Sequence, residues 1–233
     1  MTIQAYCFIA LMLFNYTGYS GIYILPDKGN VVGKTNVAES MPGELLADVA
    51  VRYRVGYNEL KKANPNIDSG NVLPPFAQIK LPTRYTLPNA PRKGIVINLA
   101  NYQLYYFPEH DNTVMIFPVG IGRDGWNTPT GKTKVLAKEK SPSWRPTQQI
   151  KRHAAQQQMI IPDVFPPGPG NPLGEYVLRL DWPAFLIHGT NHPEGVGRKV
   201  SAGCIRMYPE DVEVLFDYVT IGTPVTIINQ TSI

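Results

Sequence analysis

Cysteine and histidine are scarce in these 233 residues: there are two of the first, Cys7 and Cys204, and four of the second. Two cysteines cannot build a disulfide framework. A metal centre is disfavoured as well, because a structural zinc takes four protein ligands, and only His188, His192 and Cys204 lie near one another, with no carboxylate placed as the next ligand. Neither a metal nor any other cofactor is expected. Clusters of Lys and Arg are missing too. The net charge is +4, from 22 basic and 18 acidic side chains, yet nowhere does a basic block meet exposed aromatics as in a nucleic-acid footprint. The excess suits an anionic polymer or surface, not nucleic acid. No charged side chain precedes Asp27.

What is present begins with an apolar segment, residues 5–14 (AYCFIALMLF), the length of a signal-peptide core and short of the roughly 20 residues that span a bilayer. Gly18 and Ser20 flank Tyr19 as small residues near a cleavage site would. Residues 1–20 are therefore read as a signal peptide or an uncleaved anchor, which implies export. Cleavage would leave Cys204 as the only cysteine. A buried apolar thiol is the plain interpretation of such a residue; a reactive one needs chemistry around it.

With 22 prolines and 20 glycines, many turns are expected and an all-helical bundle is excluded. Residues 44–53 put Leu45, Val49 and Tyr53 on one helical face, and 57–63 form a second short helix ended by Asn64-Pro65. A strand follows at 77–81. Residues 84–93, rich in proline and charge, read as a linker. Beyond it, β-branched and aromatic runs at 95–99, 103–107, 114–119, 132–137, 176–180, 185–188 and 224–228 predict a mostly-β domain, with one amphipathic helix at 209–218. In Tyr102, Tyr105, Tyr106 and Phe107 the strand pattern favours sheet packing over a sugar platform. Residues 138–174 interrupt the strands for longer than a usual connection, which predicts a lid or binding loop, with 147–158 as its helix.

The chemistry collects near the C-terminus. His188 ends an apolar strand, and Cys204 follows glycine in Ser201-Ala202-Gly203-Cys204-Ile205-Arg206-Met207. Glycine allows a sharp turn, so the amides of Gly203 and Cys204 are candidate oxyanion donors. Arg206 is a candidate carboxylate fork, and Ser201 either donates near the thiol or caps a turn.

Residues 36–83, with Leu46, Val49, Tyr53, Ala63-Asn64-Pro65 and Ile79-Lys80-Leu81-Pro82, resemble a LysM module, although Pro42-Gly43-Glu44-Leu45 stands where that family usually has Gly-Asp-Thr-Leu. From about residue 94 to 230, Ile187-His188-Gly189-Thr190-Asn191, the Cys204 box, Val119-Gly120-Ile121-Gly122 and Thr128-Pro129-Thr130-Gly131 resemble the YkuD-type catalytic domain of L,D-transpeptidases, most of all the periplasmic Gram-negative group with an N-terminal LysM-like domain. The resemblance implies a β-sandwich or barrel with one C-terminal helix and an inserted lid, beside a small α/β domain. It implies Cys204 as nucleophile, His188 as base with its ring oriented by the Gly189 carbonyl, and Arg206, Ser201 and Thr190 as substrate contacts. The implied donor is a peptidoglycan tetrapeptide stem that loses D-alanine. The acceptor stays open between a stem amine, a lysine of an outer-membrane protein or lipoprotein, and water. Ala202 stands where the family carries histidine, so a catalytically reduced scaffold that binds glycan and stem peptides is the alternative.

Overall fold

The computed structural model describes residues 21–231; the expected signal segment, 1–20, lies outside the described residues. The chain runs β1 (Gly21–Ile24), β2 (Val31–Gly33), β3 (Asn36–Glu39), α1 (Leu46–Arg52), α2 (Tyr57–Ala63), β4 (Gln78–Leu81) and β5 (Arg84–Thr86). It continues through β6 (Gly94–Asn98), β7 (Gln103–Phe107), β8 (Thr113–Pro118), β9 (Ile121–Gly122), β10 (Gly131–Lys140) and α3 (Gln148–Gln156). The remainder is β11 (Tyr176–Leu180), β12 (Leu186–His188), β13 (Lys199–Ser201), β14 (Ile205–Arg206), α4 (Pro209–Tyr218) and β15 (Pro224–Ile228). Among the described residues no helix is long and apolar enough to cross a membrane.

Nine strands form one sheet in the order β1-β8-β7-β6-β15-β10-β11-β12-β14. The pairs β6–β15 and β12–β14 are parallel; the others are antiparallel. The central strands β6 and β7 are buried at every position. Both of their faces are covered, which is why they read as continuous apolar runs without alternation. Ile95, Ile97, Leu104 and Tyr106 face the main core with α4 residues Val212 and Leu215. Val96, Tyr105 and Phe107 face a second cluster closed by Val32, Tyr85 and Leu87. The aromatic run 105–107 is thus sheet packing, as its pattern predicts.

The stretch 84–93, whose composition reads as a linker, carries β5 antiparallel to β2 and buries Tyr85 and Leu87. Residues 21–24, to which the sequence assigns no element, pair along β8 at the sheet edge. The first segment covers an apolar face of the β6–β8 strands, and the second pairs the open edge of β8. The inserted stretch starts later than position 138, because β10 continues to Lys140 in register with β11.

In the LysM-like unit, β3 pairs with β4 and α1 and α2 pack on them around Leu46, Val49, Leu60, Ile79 and Leu81. Asn64 fastens this unit: its side chain donates to the Leu60 and Lys80 carbonyls, each at 2.8 Å, and accepts the Lys80 amide at 2.9 Å. The proline that ends α2 leaves a buried polar side chain to tie the helix end to the strand.

This unit is joined directly to the larger one. α2 has no side-chain cap, and a helix leaves its first amides without internal partners. The Tyr57 and Asn58 amides instead donate to the Val196 and Gly197 carbonyls, both at 3.3 Å. Gly197 has φ +80, and a Cβ there would lie 2.3 Å from the Tyr57 nitrogen, so only glycine permits the approach. The Arg198 guanidinium lies 3.4 Å from the Tyr57 ring centroid. The buried Tyr208 hydroxyl reaches the Ala50 and Val55 carbonyls at 3.1 and 2.9 Å, and Arg54 pairs with the buried Asp211 at 3.3 Å. Tyr208→Phe is expected to cost about 1–2 kcal/mol by leaving a buried carbonyl unpaired, lowering Tm by roughly 2–8 °C in calorimetry. An unchanged Tm would show that the joint contributes nothing to stability.

Candidate active site

The site is built on strand alternation. In parallel neighbours β12 and β14, Ile187 pairs with Ile205 and His188 with Arg206. Ile187 and Ile205 point into the main core. Successive side chains on a strand take opposite faces, so Leu186 and His188 on one strand, and Cys204 and Arg206 on and just before the other, share the opposite face. All four line a cleft of about 900 Å³, with the lid over it. The register sets Arg206 opposite His188 and brings Cys204 level with Leu186, one step along from His188 on the same face.

His188 is 3% exposed. Its Nδ1 lies 2.6 Å from the Gly189 carbonyl. A carbonyl only accepts, so Nδ1 carries the proton and Nε2 is left with its lone pair. Burial, reinforced by the positive charge of Arg206, pushes the His188 pKa down to about 4, with the Gly189 and Leu173 carbonyls opposing. The imidazole is therefore neutral at physiological pH, the state a base requires.

Cys204 is half-buried, and its Sγ donates to the Ala184 carbonyl at 3.5 Å. Burial raises its pKa above the ordinary value, while the Leu186 backbone and Arg206 pull the other way. Thiol and imidazole are thus both neutral in the resting protein, the thiol directed to the Ala184 carbonyl. Among the described residues no carboxylate pairs with Arg206, and its Nε has no hydrogen-bond partner.

The loop before β14 is held by a buried network. Gly203 has φ +107, which turns its amide back toward the Ser201 Oγ at 3.1 Å. Ser201 Oγ itself donates to the Cys204 carbonyl at 2.6 Å, so Ser201 caps the turn. The expectation that the Gly203 amide faces the reaction site is corrected by this geometry: the amide is committed to the turn, while that of Cys204 has no such partner. Thr128 Oγ1 donates to the Gly203 carbonyl at 2.8 Å and accepts the Gly122 amide at 3.0 Å. Thr128→Val keeps the volume and removes both bonds. It is expected to cost about 1–3 kcal/mol and to lower kcat at least tenfold with little change in Tm of the LysM-like unit; equal kcat would show the network to be dispensable.

One expected contact lies elsewhere. Thr190 is buried outside the cleft lining, and its Oγ1 accepts the His192 amide at 3.0 Å. His192 sits on the surface 3.1 Å from Glu194 and is 64% exposed. Ala202 does line the cleft. Among the described residues no group of three or more His, Cys, Asp or Glu side chains is arranged to hold a metal ion.

Sequence reasoning missed several cleft residues. Arg123 and Trp126 follow the quoted glycine pattern, and Arg179, paired with Glu139 at 2.6 Å, comes from neighbouring strands β11 and β10. In the lid, Trp144 and Phe165 pair through their backbones and stack at 5.1 Å. Asn171 ties the lid ends by donating to the Pro142 carbonyl at 2.7 Å. Asn171 is a lone buried amide in a proline-rich stretch, a signal the sequence carried only weakly.

Residues 92–227 match the L,D-transpeptidase catalytic domain (YkuD), and residues 42–82 match the LysM domain. The chain belongs to the L,D-transpeptidase family. It is 38% identical over 229 residues to the probable L,D-transpeptidase ErfK/SrfK of Escherichia coli K12, covering 96% of this chain and 73% of that relative. The probable L,D-transpeptidase YcfS of the same organism is 39% identical over 236 residues, covering 96% of this chain and 72% of the relative. A solved catalytic domain of the E. faecium L,D-transpeptidase matches at 24% identity with a TM-score of 0.45, covering 60% of this chain and all of that one. The transpeptidase described here is accordingly an enzyme with a mostly-β catalytic fold and a LysM domain.

Proposed function

We propose that Cys204 is the nucleophile of the transfer and that a peptidoglycan tetrapeptide stem is its donor. The Cys204 thiol proton passes to His188 Nε2 as sulfur attacks the carbonyl of the diaminopimelate–D-alanine bond. The C–N bond breaks, His188 returns the proton to the departing D-alanine amine, and a thioester remains. An acceptor amine then loses a proton to His188 and displaces sulfur. A stem amine yields a 3-3 cross-link, and a protein lysine yields an anchored protein. The observation that carries this reading is the presence in one cleft of a neutral imidazole, its Nδ1 fixed on the Gly189 carbonyl, and of a cysteine just before the adjoining strand. That carbonyl orients the ring without the full charge an aspartate supplies. The Cys204 amide is the backbone donor left to the developing oxyanion. Arg206 takes a donor carboxylate through its unpaired guanidinium.

Muropeptide mass analysis of tetrapeptide-rich peptidoglycan after incubation with the protein tests this reading. Free D-alanine and new cross-linked or protein-linked products are expected, and their absence sinks it. The alternative, a catalytically reduced scaffold, draws on Ala202 in the cleft wall and on the raised thiol pKa. A carbapenem adduct on Cys204, read by intact mass, decides against that alternative.

The LysM domain supplies the glycan contact, and the enzyme acts in the periplasm on the wall polymer. Two loops of that domain are laced together, with Leu73 donating to the Glu44 carbonyl at 2.8 Å and Phe76 to the Ser40 carbonyl at 3.0 Å. Around this seam the apolar side chains of Met41, Val72 and Phe76 are exposed, Phe76 at 68%. Phe76→Ala is expected to weaken pull-down on isolated peptidoglycan about tenfold while release of D-alanine from soluble stems stays unchanged; equal retention would remove Phe76 from the glycan contact.

A further inference from the structure

The cleft wall carries four arginines, Arg123, Arg145, Arg179 and Arg206, against the single carboxylate of Glu139, which Arg179 already engages. Such an excess in a concave site selects an anion. Arg206 has been assigned to one donor carboxylate; the transfer chemistry leaves Arg123 without a task.

Arg123 is nonetheless held as firmly as the cysteine turn. Its amide donates to the Ser201 carbonyl at 3.0 Å, and its own carbonyl accepts the Trp126 amide at 2.8 Å. The resulting turn needs a left-handed residue, supplied by Gly125 at φ +81. It brings the Trp126 ring beneath the guanidinium, 4.7 Å from Cζ to the centroid. Stacking occupies the guanidinium face and leaves its in-plane N–H donors unspent. Among the described residues the Arg123 side chain has neither a carboxylate nor a hydrogen-bond acceptor. Trp126 in turn meets His153 of the lid helix edge-on at 5.6 Å, so the stack lies where lid and sheet close on the cleft.

Two unneutralised guanidiniums in one site repel. Burial lowers the pKa of Arg206, and Arg123 adds to that effect. The arrangement becomes favourable once anions lie between them. Their backbone anchors are set by the same short segment: Arg206 exchanges both bonds with Gly120, at 2.8 and 2.9 Å, and Arg123 stands three residues further on. Three extended residues span about 10 Å, a separation that carboxylates on neighbouring or next-neighbouring residues of one peptide can bridge.

We propose that Arg123, stacked on Trp126, is a second carboxylate-binding residue of the cleft, so that the donor peptide is selected by two carboxylates, one on Arg206 and one on Arg123. This rests on the donor reading above. A synthetic tetrapeptide stem with its carboxylates free is compared with the same stem amidated at one carboxylate at a time. Arg123→Gln is expected to lower kcat/KM for the free stem about tenfold, mostly through KM. That loss disappears for one of the singly amidated stems, and Arg123→Lys recovers part of it. The Arg206→Gln loss disappears for a different stem. A loss of the same factor on every stem, or no loss, overturns the proposal. The same stems are titrated calorimetrically against Cys204→Ala protein with and without Arg123→Gln, and the same pattern is expected in Kd. Should the wild-type protein release no D-alanine, the transfer reading fails while the Kd pattern still decides the role of Arg123.

Discussion

Protein carrying Cys204→Ala is expected to release no D-alanine from tetrapeptide-rich peptidoglycan and to leave its muropeptide profile as it was. The loss should reach at least about 10³-fold, because the covalent step has no other nucleophile to pass through. The fold should survive. Cys204 is half-buried in a small cluster with Leu173, Val177 and Leu186, and the turn that presents it is held through Ser201, Gly203 and Thr128, not through sulfur. Binding of stem peptides should therefore persist in the variant while turnover vanishes. A product profile unchanged from wild type would falsify the assignment of Cys204. The raised thiol pKa adds a condition: at neutral pH the thiolate is a minor species, so sulfur acts only as its proton leaves toward His188. Iodoacetamide should accordingly label Cys204 more slowly than a free thiol at the same pH, and faster labelling would point to a preformed ion pair.

The second large effect is at His188. His188→Gln removes the base and is expected to lower kcat by about 10²–10⁴-fold with a smaller change in KM. Its pH signature separates a base from a structural side chain. With the imidazole pKa pushed down to about 4, the acid limb that His188 imposes on kcat/KM should fall near pH 4, not near 6.5. The sign for stability follows from the same displacement. Between pH 6.5 and 4 the unfolded chain binds a proton at this histidine that the native protein does not, so stability falls as pH is lowered through that window and is fully present above it. The amount is on the order of 3 kcal/mol. Thermal unfolding from pH 7 to 4 should show a steeper decline for wild type than for His188→Gln. Parallel curves would mean that the ring is hydrated or charged in the native state, and the proposed base would lose its physical ground.

Both effects concern residues whose surroundings were partly visible in the chain. Ile187 and Ile205 are apolar, His188, Cys204 and Arg206 are reactive, and the alternation of strand side chains puts the first pair in the core and the others in a cleft. The central strands were legible for the same reason, as was α4, with Pro209 at its start and Glu210 and Asp211 in its first turn. Other features were invisible. β1 and β2 are four and three residues long, too short for a periodic signal, and their partners β8 and β5 lie far along the chain. The Gly203 amide was misjudged because glycine advertises a sharp turn without saying which way the peptide plane faces.

Local chemistry, then, accounts for the existence of the two folding units, their helices and main strands, and the cysteine with its histidine, since periodicity, proline and glycine act over a few residues. Contact between distant segments accounts for the rest. It buries Tyr85 and Leu87 against the outer face of β6–β8, caps α2 with carbonyls from 196 and 197, and sets Arg123 on Trp126 in the cleft that Cys204 lines. It also keeps the imidazole of His188 neutral by burying it and setting Arg206 beside it. Burial is a property of what packs against a group, and no stretch of sequence around His188 supplies its own burial.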